Sequence, residues 1–165
     1  MKPEIQKFFK GDVEDSEETL LKYSHDASIF NIRPKIVVFP KDSSDVQNLV
    51  KWVSENSARQ DLVEKYGKVS ITARCAGTDM SGGAVGGSII MDFTRYMNKL
   101  IKFEIPAHDF GKYALGGEGQ GTHFSKNHAQ EFQITVQPGM FYRDFEKLTL
   151  KKGLILPCFT ASKTI

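Results

Sequence analysis

Long apolar runs, paired cysteines and clustered basic residues are what this 165-residue chain has least of. No apolar run approaches the roughly 20 residues a membrane span needs, so no membrane-crossing helix is expected. The N-terminal stretch MKPEIQKFFKGDVEDSEETLLKYS carries acids throughout and lacks the apolar core of a signal peptide. Two cysteines, Cys75 and Cys158, make no disulfide framework and lack zinc-ligand spacing. A reducing, cytoplasmic setting is the default that follows. Basic residues number 22 against 20 acids, scattered among one another, so the net charge is +2 and no arginine stripe marks a nucleic-acid partner. His108, His123 and His128 match no ligand pattern and read as solvated loop histidines, with no metal expected. His25 and Asp26, adjacent in sequence, point apart and read as a surface pair.

What the chain does have is a 40% hydrophobic content with twelve phenylalanines, enough for one compact domain or two small lobes sharing a core. About 70% of the unfolded surface is expected to be buried at this length. The first 23 residues read as helical and charged, with Asp15 and Glu18 as a capping box ahead of SEETLLKYS. RPKIVVFP (33–40) reads as a buried strand between prolines. Ser44 with Gln47 forms a second capping box, and Val46, Leu49, Val50 and Val53 make one apolar stripe, predicting a helix over 44–58. Trp52 lies just off that stripe and is expected to pack on the N-terminal helices.

DLVEKYG predicts a short helical piece ending at Gly67. KVSITAR alternates as a half-buried strand, SIIMDF (88–93) is another, and LIKFEI (100–105) a third. Residues 106–130 lose all periodicity and read as a long flexible loop. FQITVQ (132–137) alternates again before a Pro138-Gly139 turn. FYRDFEKLTLKK predicts a helix ended by Gly153, and LILP a closing strand. Helices and strands mix without strict alternation, so the class is α+β.

The densest feature is ITARCAGTDMSGGAVGGSIIMDF (71–93), where five of the fourteen glycines stand between two apolar runs. Glycine in a strand costs roughly 0.5–1 kcal/mol, so the cluster needs a reason. One reason is a long hairpin turn. Another is a backbone that approaches a ligand closely. A phosphate loop of the Walker type is excluded, because Gly83 and Ala84 stand where lysine and the hydroxyl residue belong. A dinucleotide fingerprint is excluded too, since no Gly-x-Gly-x-x-Gly window opens a helix. A concave nest of backbone N–H groups for phosphate oxygens remains, with hydroxyls of Thr78 and Ser81 adding bonds and Arg74 supplying charge at the mouth.

The segments ITARCAGTDMSGGAVGGSIIMDFTRYMNKLIKFE, ITVQPGMFYRDFEKLTLKKGLILP and ASKTI resemble the FAD-linked oxidases of the vanillyl-alcohol oxidase / p-cresol methylhydroxylase (PCMH) superfamily. The D-lactate and glycolate type of 2-hydroxy-acid dehydrogenase is the branch most similar. The resemblance runs from about Pro34 to Ile165. It implies a two-lobed, α+β FAD-binding PCMH-type domain over 33–165, preceded by an N-terminal helical segment, 1–32, and interrupted by the loop.

In that family the loop matching Cys75, Ala76, Gly77, Thr78 and Asp79, with Met80, Ser81 and Gly82 behind, wraps the FAD pyrophosphate. The stretch from Pro157 to Ser162 then lies along the flavin. Some relatives attach FAD through a histidine where this chain has Thr78, so non-covalent FAD is implied. Relatives continue past the position of Ile165 into more of the flavin site and a substrate domain. The resemblance therefore implies the N-terminal part of a flavoenzyme that takes a small-molecule substrate, with catalytic residues elsewhere. The alternatives are a folded module that retains no flavin and a nest for some other phosphorylated ligand.

Overall fold

The computed structural model describes residues 1–57, 59–104 and 133–156. The first elements are α1 (Lys2–Ile5), β1 (Asp12–Glu14), α2 (Glu17–Lys22), β2 (Ile36–Phe39), α3 (Ser43–Asn56) and α4 (Gln60–Tyr66). There follow β3 (Ile71–Arg74), β4 (Ile89–Asp92), β5 (Leu100–Glu104), β6 (Gln133–Val136) and α5 (Tyr142–Leu150). The mixture of helices and sheets is α+β.

A four-stranded sheet in the order β1-β2-β4-β3 organises the first three-fifths of the chain. Strands β2, β4 and β3 are parallel, with Ile36 and Ile71 both in register with Ile89. Strand β1 closes one edge antiparallel, Val13 opposite Val38. Every residue of β2 and of β4 is buried, because each strand is covered on both faces. On one face Ile36, Val38, Ile89 and Met91 meet Leu49 of α3 and Ile5 and Phe9 of the N-terminus. On the other, Val37, Phe39 and Ile90 meet Leu20 and Tyr23. Trp52 packs against this first cluster beside Phe8, at a ring separation of 6.1 Å.

A smaller antiparallel sheet, β5 with β6, follows. The turn after β6 is tied to the β4–β5 connection by the Gly139 N–H, which donates to the Met97 carbonyl at 2.8 Å.

Several local expectations change. The N-terminus is not continuously helical: Asp12–Glu14 is extended because it pairs with the exposed edge of β2, a tertiary gain that outweighs local propensity. Helix α2 is capped by Ser16, whose hydroxyl accepts from the Thr19 N–H, rather than by Asp15. Helix α3 is capped by Asp42, which accepts from the Asp45 N–H, two residues before the expected Ser44. Residues 154–156 form no strand. The 106–130 segment lies outside the described residues.

Candidate functional site

Strands β3 and β4 are parallel neighbours, so the chain leaving the C-terminal end of β3 must travel back the length of the sheet before β4 begins. Such a connection needs a dozen or more residues and is usually a helix. Here the glycine-rich segment 75–88 makes it without one. The run is therefore a crossover, not a hairpin turn. It begins at the carboxyl end of a parallel strand, where ligands of open α/β sheets collect.

Two glycines shape its path. Gly77 has φ +70° and Gly82 φ +85°, a region closed to most side chains. A Cβ at Gly77 would also strike the Arg74 guanidinium, and one at Gly82 the ring of Phe30.

Between them Asp79 ties the tip of the loop. Its Oδ1 accepts from the Ser81 N–H at 2.8 Å and the Ser81 hydroxyl at 2.7 Å, and its Oδ2 from the Gly83 N–H at 2.8 Å. These bonds, the Ser81 hydroxyl first, hold the Asp79 carboxyl below the usual carboxylate range. The Ser81 and Gly83 amides are thus committed inside the loop. The N–H groups of Gly77, Thr78, Asp79 and Met80 are not: among the described residues none of them donates a hydrogen bond. A cleft of about 240 Å³ opens beside them, lined by residues 73–79 together with Gly83 and Ala84.

A second layer lies behind the loop. The Arg74 guanidinium donates from Nη1 to the Ala84 carbonyl at 3.2 Å and sits 5.1 Å over the ring of Tyr23. The Tyr23 hydroxyl donates to Oδ2 of Asp92 at 2.8 Å, and the Thr94 N–H and hydroxyl both donate to Oδ1 at 2.6 Å. Asp92 is only 4% exposed, and these three donors satisfy its charge. Burial, with the Asp92 bond second, pushes the Tyr23 phenol above its ordinary range.

The segment after α2 clasps the loop from the side. The Ala27 N–H donates to the Gly77 carbonyl at 3.1 Å, and Oδ2 of Asp26 accepts from the Ala84 N–H at 3.3 Å. Asp26 Oδ1 accepts from the Ser28 N–H at 2.8 Å.

Of the residues singled out in the sequence, Arg74, Cys75, Ala76, Gly77, Thr78 and Asp79 come together around the cleft. Met80 and Ser81 stand exposed at the loop tip, Met80 by 82%. Arg74 is turned inward on Tyr23. Burial raises the Cys75 thiol above its ordinary value, with the nearby Asp92 charge acting in the same direction, which disfavours the reactive thiolate. Pro157, Ser162, Cys158, His108, His123 and His128 lie outside the described residues. No cluster of three or more metal-ligating side chains occurs among the described residues.

Tyr23 and Asp26 are the residues that sequence reasoning missed. The spacing of Asp26 and Ser28 marks an Asx turn, but nothing local announces that the same carboxylate reaches Ala84. No helix among the described residues is long and apolar enough to cross a membrane.

Comparison with known proteins adds the following. A family model described as FAD binding domain matches residues 34–165. D-2-hydroxyglutarate dehydrogenase of Escherichia coli is 33% identical over 97 residues, which are 59% of this chain and 9% of that protein. D-lactate dehydrogenase (cytochrome) 1, mitochondrial, of Saccharomyces cerevisiae is 22% identical over 157 residues, 95% of this chain and 21% of that one. A solved structure of alkyldihydroxyacetonephosphate synthase superposes with a TM-score of 0.58 at 18% identity, covering 93% of this chain and 25% of that chain. The fold is shared. The matched stretch spans only about a tenth of the E. coli relative and about a fifth of the yeast one.

Proposed function

This chain belongs to the FAD binding domain family, among the FAD-linked oxidases of the PCMH type, and from that premise we propose that the crossover 75–88 cradles the pyrophosphate of FAD. The observation that carries the reading is the run of four amides, Gly77 to Met80, that have no acceptor among the described residues, beside a cleft floored by small residues. Successive free N–H groups in a turn make an anion-binding concavity without any helix. At about 240 Å³ the cleft falls below the usual ~300–1,000 Å³ of a whole-ligand pocket, which suits the phosphates rather than the entire cofactor.

In this reading the amides from Cys75 to Asp79, with Met80 and Gly82 behind them, meet the phosphate oxygens. Thr78 offers a hydroxyl and no ring nitrogen, so the flavin is held without a covalent bond. Ser81 supports the tip instead, its amide and hydroxyl both donating to Asp79 and so being withheld from the phosphates. Pro157 and Ser162 are proposed to lie along the flavin.

The relatives' names point to a 2-hydroxy acid as the substrate of the whole enzyme, which we propose to be a flavin-dependent dehydrogenase. When bound, the flavin supplies the acceptor for a hydride equivalent from the carbinol carbon. The residues of this chain bind and orient it.

Titration of the chain with FAD, followed by quenching of flavin fluorescence, tests the reading. Saturable binding that is lost in a folded Gly77→Val variant supports it. Failure of the wild-type chain to bind FAD, or equal binding by Gly77→Val, overturns the assignment of the cradle to this loop.

A further inference from the structure

An arginine at the edge of an anion cradle is ordinarily read as the charge that meets the phosphate. The surroundings of Arg74 assign it other work. Its Nη1 is bonded to the Ala84 carbonyl at 3.2 Å, on the returning limb of the crossover. Its guanidinium plane lies 5.1 Å over Tyr23, whose hydroxyl is anchored on the buried Asp92. The same guanidinium fills the space directly behind Gly77, where a Cβ would collide with Nη2. One side chain thus braces both limbs of the loop against the sheet. Among the described residues no other basic side chain lines the cleft: the remaining contributors are small residues, Thr78 and Asp79.

We propose that Arg74 is a positioning residue of the cradle, a strut that stacks on Tyr23 and holds the Ala84 carbonyl so that the amides of residues 77–80 stay open, and that it does not neutralise the bound phosphates. The proposal rests on the reading of this loop as the phosphate cradle. It extends that reading by making phosphate recognition independent of the Arg74 charge, and by making Tyr23 part of the machinery. Tyr23 precedes the stretch matched by the family model.

Charge and shape can be separated at this position. Glutamine keeps a planar, hydrogen-bonding amide able to lie on Tyr23, but carries no charge. Lysine keeps the charge without the plane, and the two are not equivalent at a stacked site. The experiment compares wild type, Arg74→Gln, Arg74→Lys and Tyr23→Leu by FAD titration at about 50 and about 500 mM NaCl, a range over which exposed charge pairs are strongly screened. Hydrogen exchange of the bonded Ser81, Gly83 and Ala84 amides is measured on the same proteins without FAD.

A strut predicts that Arg74→Gln keeps most of the affinity while Arg74→Lys and Tyr23→Leu each lose about tenfold. It predicts little salt dependence in any of them, and faster exchange at the three amides in the Lys and Leu variants. The reverse order, with Lys tolerated, Gln impaired and a wild-type salt dependence that vanishes in Gln, overturns the proposal in favour of a phosphate-binding charge. If wild-type chain takes up no FAD, the cradle reading falls by itself. The exchange data then still decide the strut: equal exchange in wild type and Arg74→Lys overturns it, and faster exchange in Arg74→Lys sustains it.

Discussion

The Ala84 amide donates to the Asp26 carboxylate at 3.3 Å, across 58 positions of sequence. The bond fastens the return limb of the glycine crossover to the segment after α2, beside a second clasp from the Ala27 amide to the Gly77 carbonyl. Asp26 is therefore a hinge pin for the loop that is proposed to hold FAD. Its carboxyl sits below the usual range, chiefly through the Ser28 side chain and with help from the Ser28 and Ala84 amides. Asp26→Ala is expected to speed hydrogen exchange at Ala84 and to weaken FAD binding while leaving the secondary structure intact. Unchanged exchange at Ala84 would show that the clasp is dispensable.

Acid sensitivity should concentrate at the cap of α3. Hydrogen bonds from Ser44, the Asp45 amide and Lys10 lower the Asp42 carboxyl to about 2. A carboxyl depressed on folding from an unfolded value near 3.9 contributes stability above that value and loses it as pH falls through the folded one. Thermal midpoints should accordingly drop between about pH 4 and pH 2. In Asp42→Asn the cap survives, since asparagine serves about as well. The midpoint near pH 7 should fall somewhat, since the charge-dependent contacts with Lys10 are lost, while the acid-side drop shrinks. An identical drop in both proteins would locate the sensitivity elsewhere.

Tyr23→Phe removes one of three donors to a buried carboxylate. A hydrogen bond to a charged group contributes about 1.5–3 kcal/mol, so urea denaturation should show a loss in that range. Alkaline behaviour should change as well. Burial raises the Tyr23 phenol in the folded state, so the native chain holds its proton where the unfolded chain releases it. Stability is then intact below about pH 10 and lost above it. The phenylalanine variant, already weaker at pH 7, should decline less steeply on that limb.

Gly139→Ala should be costly although its backbone is unstrained. A Cβ there would meet the Phe93 carbonyl and the Thr94 nitrogen, main-chain atoms that cannot step aside. Overpacking of this kind costs roughly 1–3 kcal/mol. Denaturation of the variant, with near-ultraviolet dichroism of the β5–β6 region's aromatic residues, gives the measure. A neutral result would mean that the Pro138-Gly139 turn is free to back away from β4.

Local pattern carried much of this. The stripe Val46, Leu49, Val50, Val53 specified α3 to within two residues, and Gly67 ended α4 at the expected place, with φ +68°. Strands β2 to β6 all form inside the stretches expected of them. What the pattern could not carry was long-range. Strand β1 is three residues, with Asp12 and Glu14 flanking one apolar side chain, and it exists because the edge of β2 is there to pair with. Both Asp42 and Ser44 can cap a helix, and the Ser44 hydroxyl is itself spent on Asp42, whose Oδ1 also takes the Asp45 amide. The glycine run was legible as a feature that needs a reason, and excluding the phosphate motifs left a nest or a plain turn. That it is a parallel crossover depends on β4 lying between β2 and β3, which no window of sequence reveals. Arg74 was legible as a charge at the mouth. Its inward turn required Tyr23, which periodicity places on a helix end and not beneath a loop.

That strand order bears on how the chain is made. Strand β4 is the last of the four to leave the ribosome, yet it occupies an interior place, with Ile36 on one side of Ile89 and Ile71 on the other. Until Asp92 has emerged, β2 and β3 flank an empty slot and cannot pair with each other in the native arrangement. The nascent domain must keep Val37, Val38 and their neighbours waiting, exposed to whatever else will cover them. Residues 89–92 act as a keystone: their arrival completes both ladders at once and lays the glycine crossover in place as the slot closes.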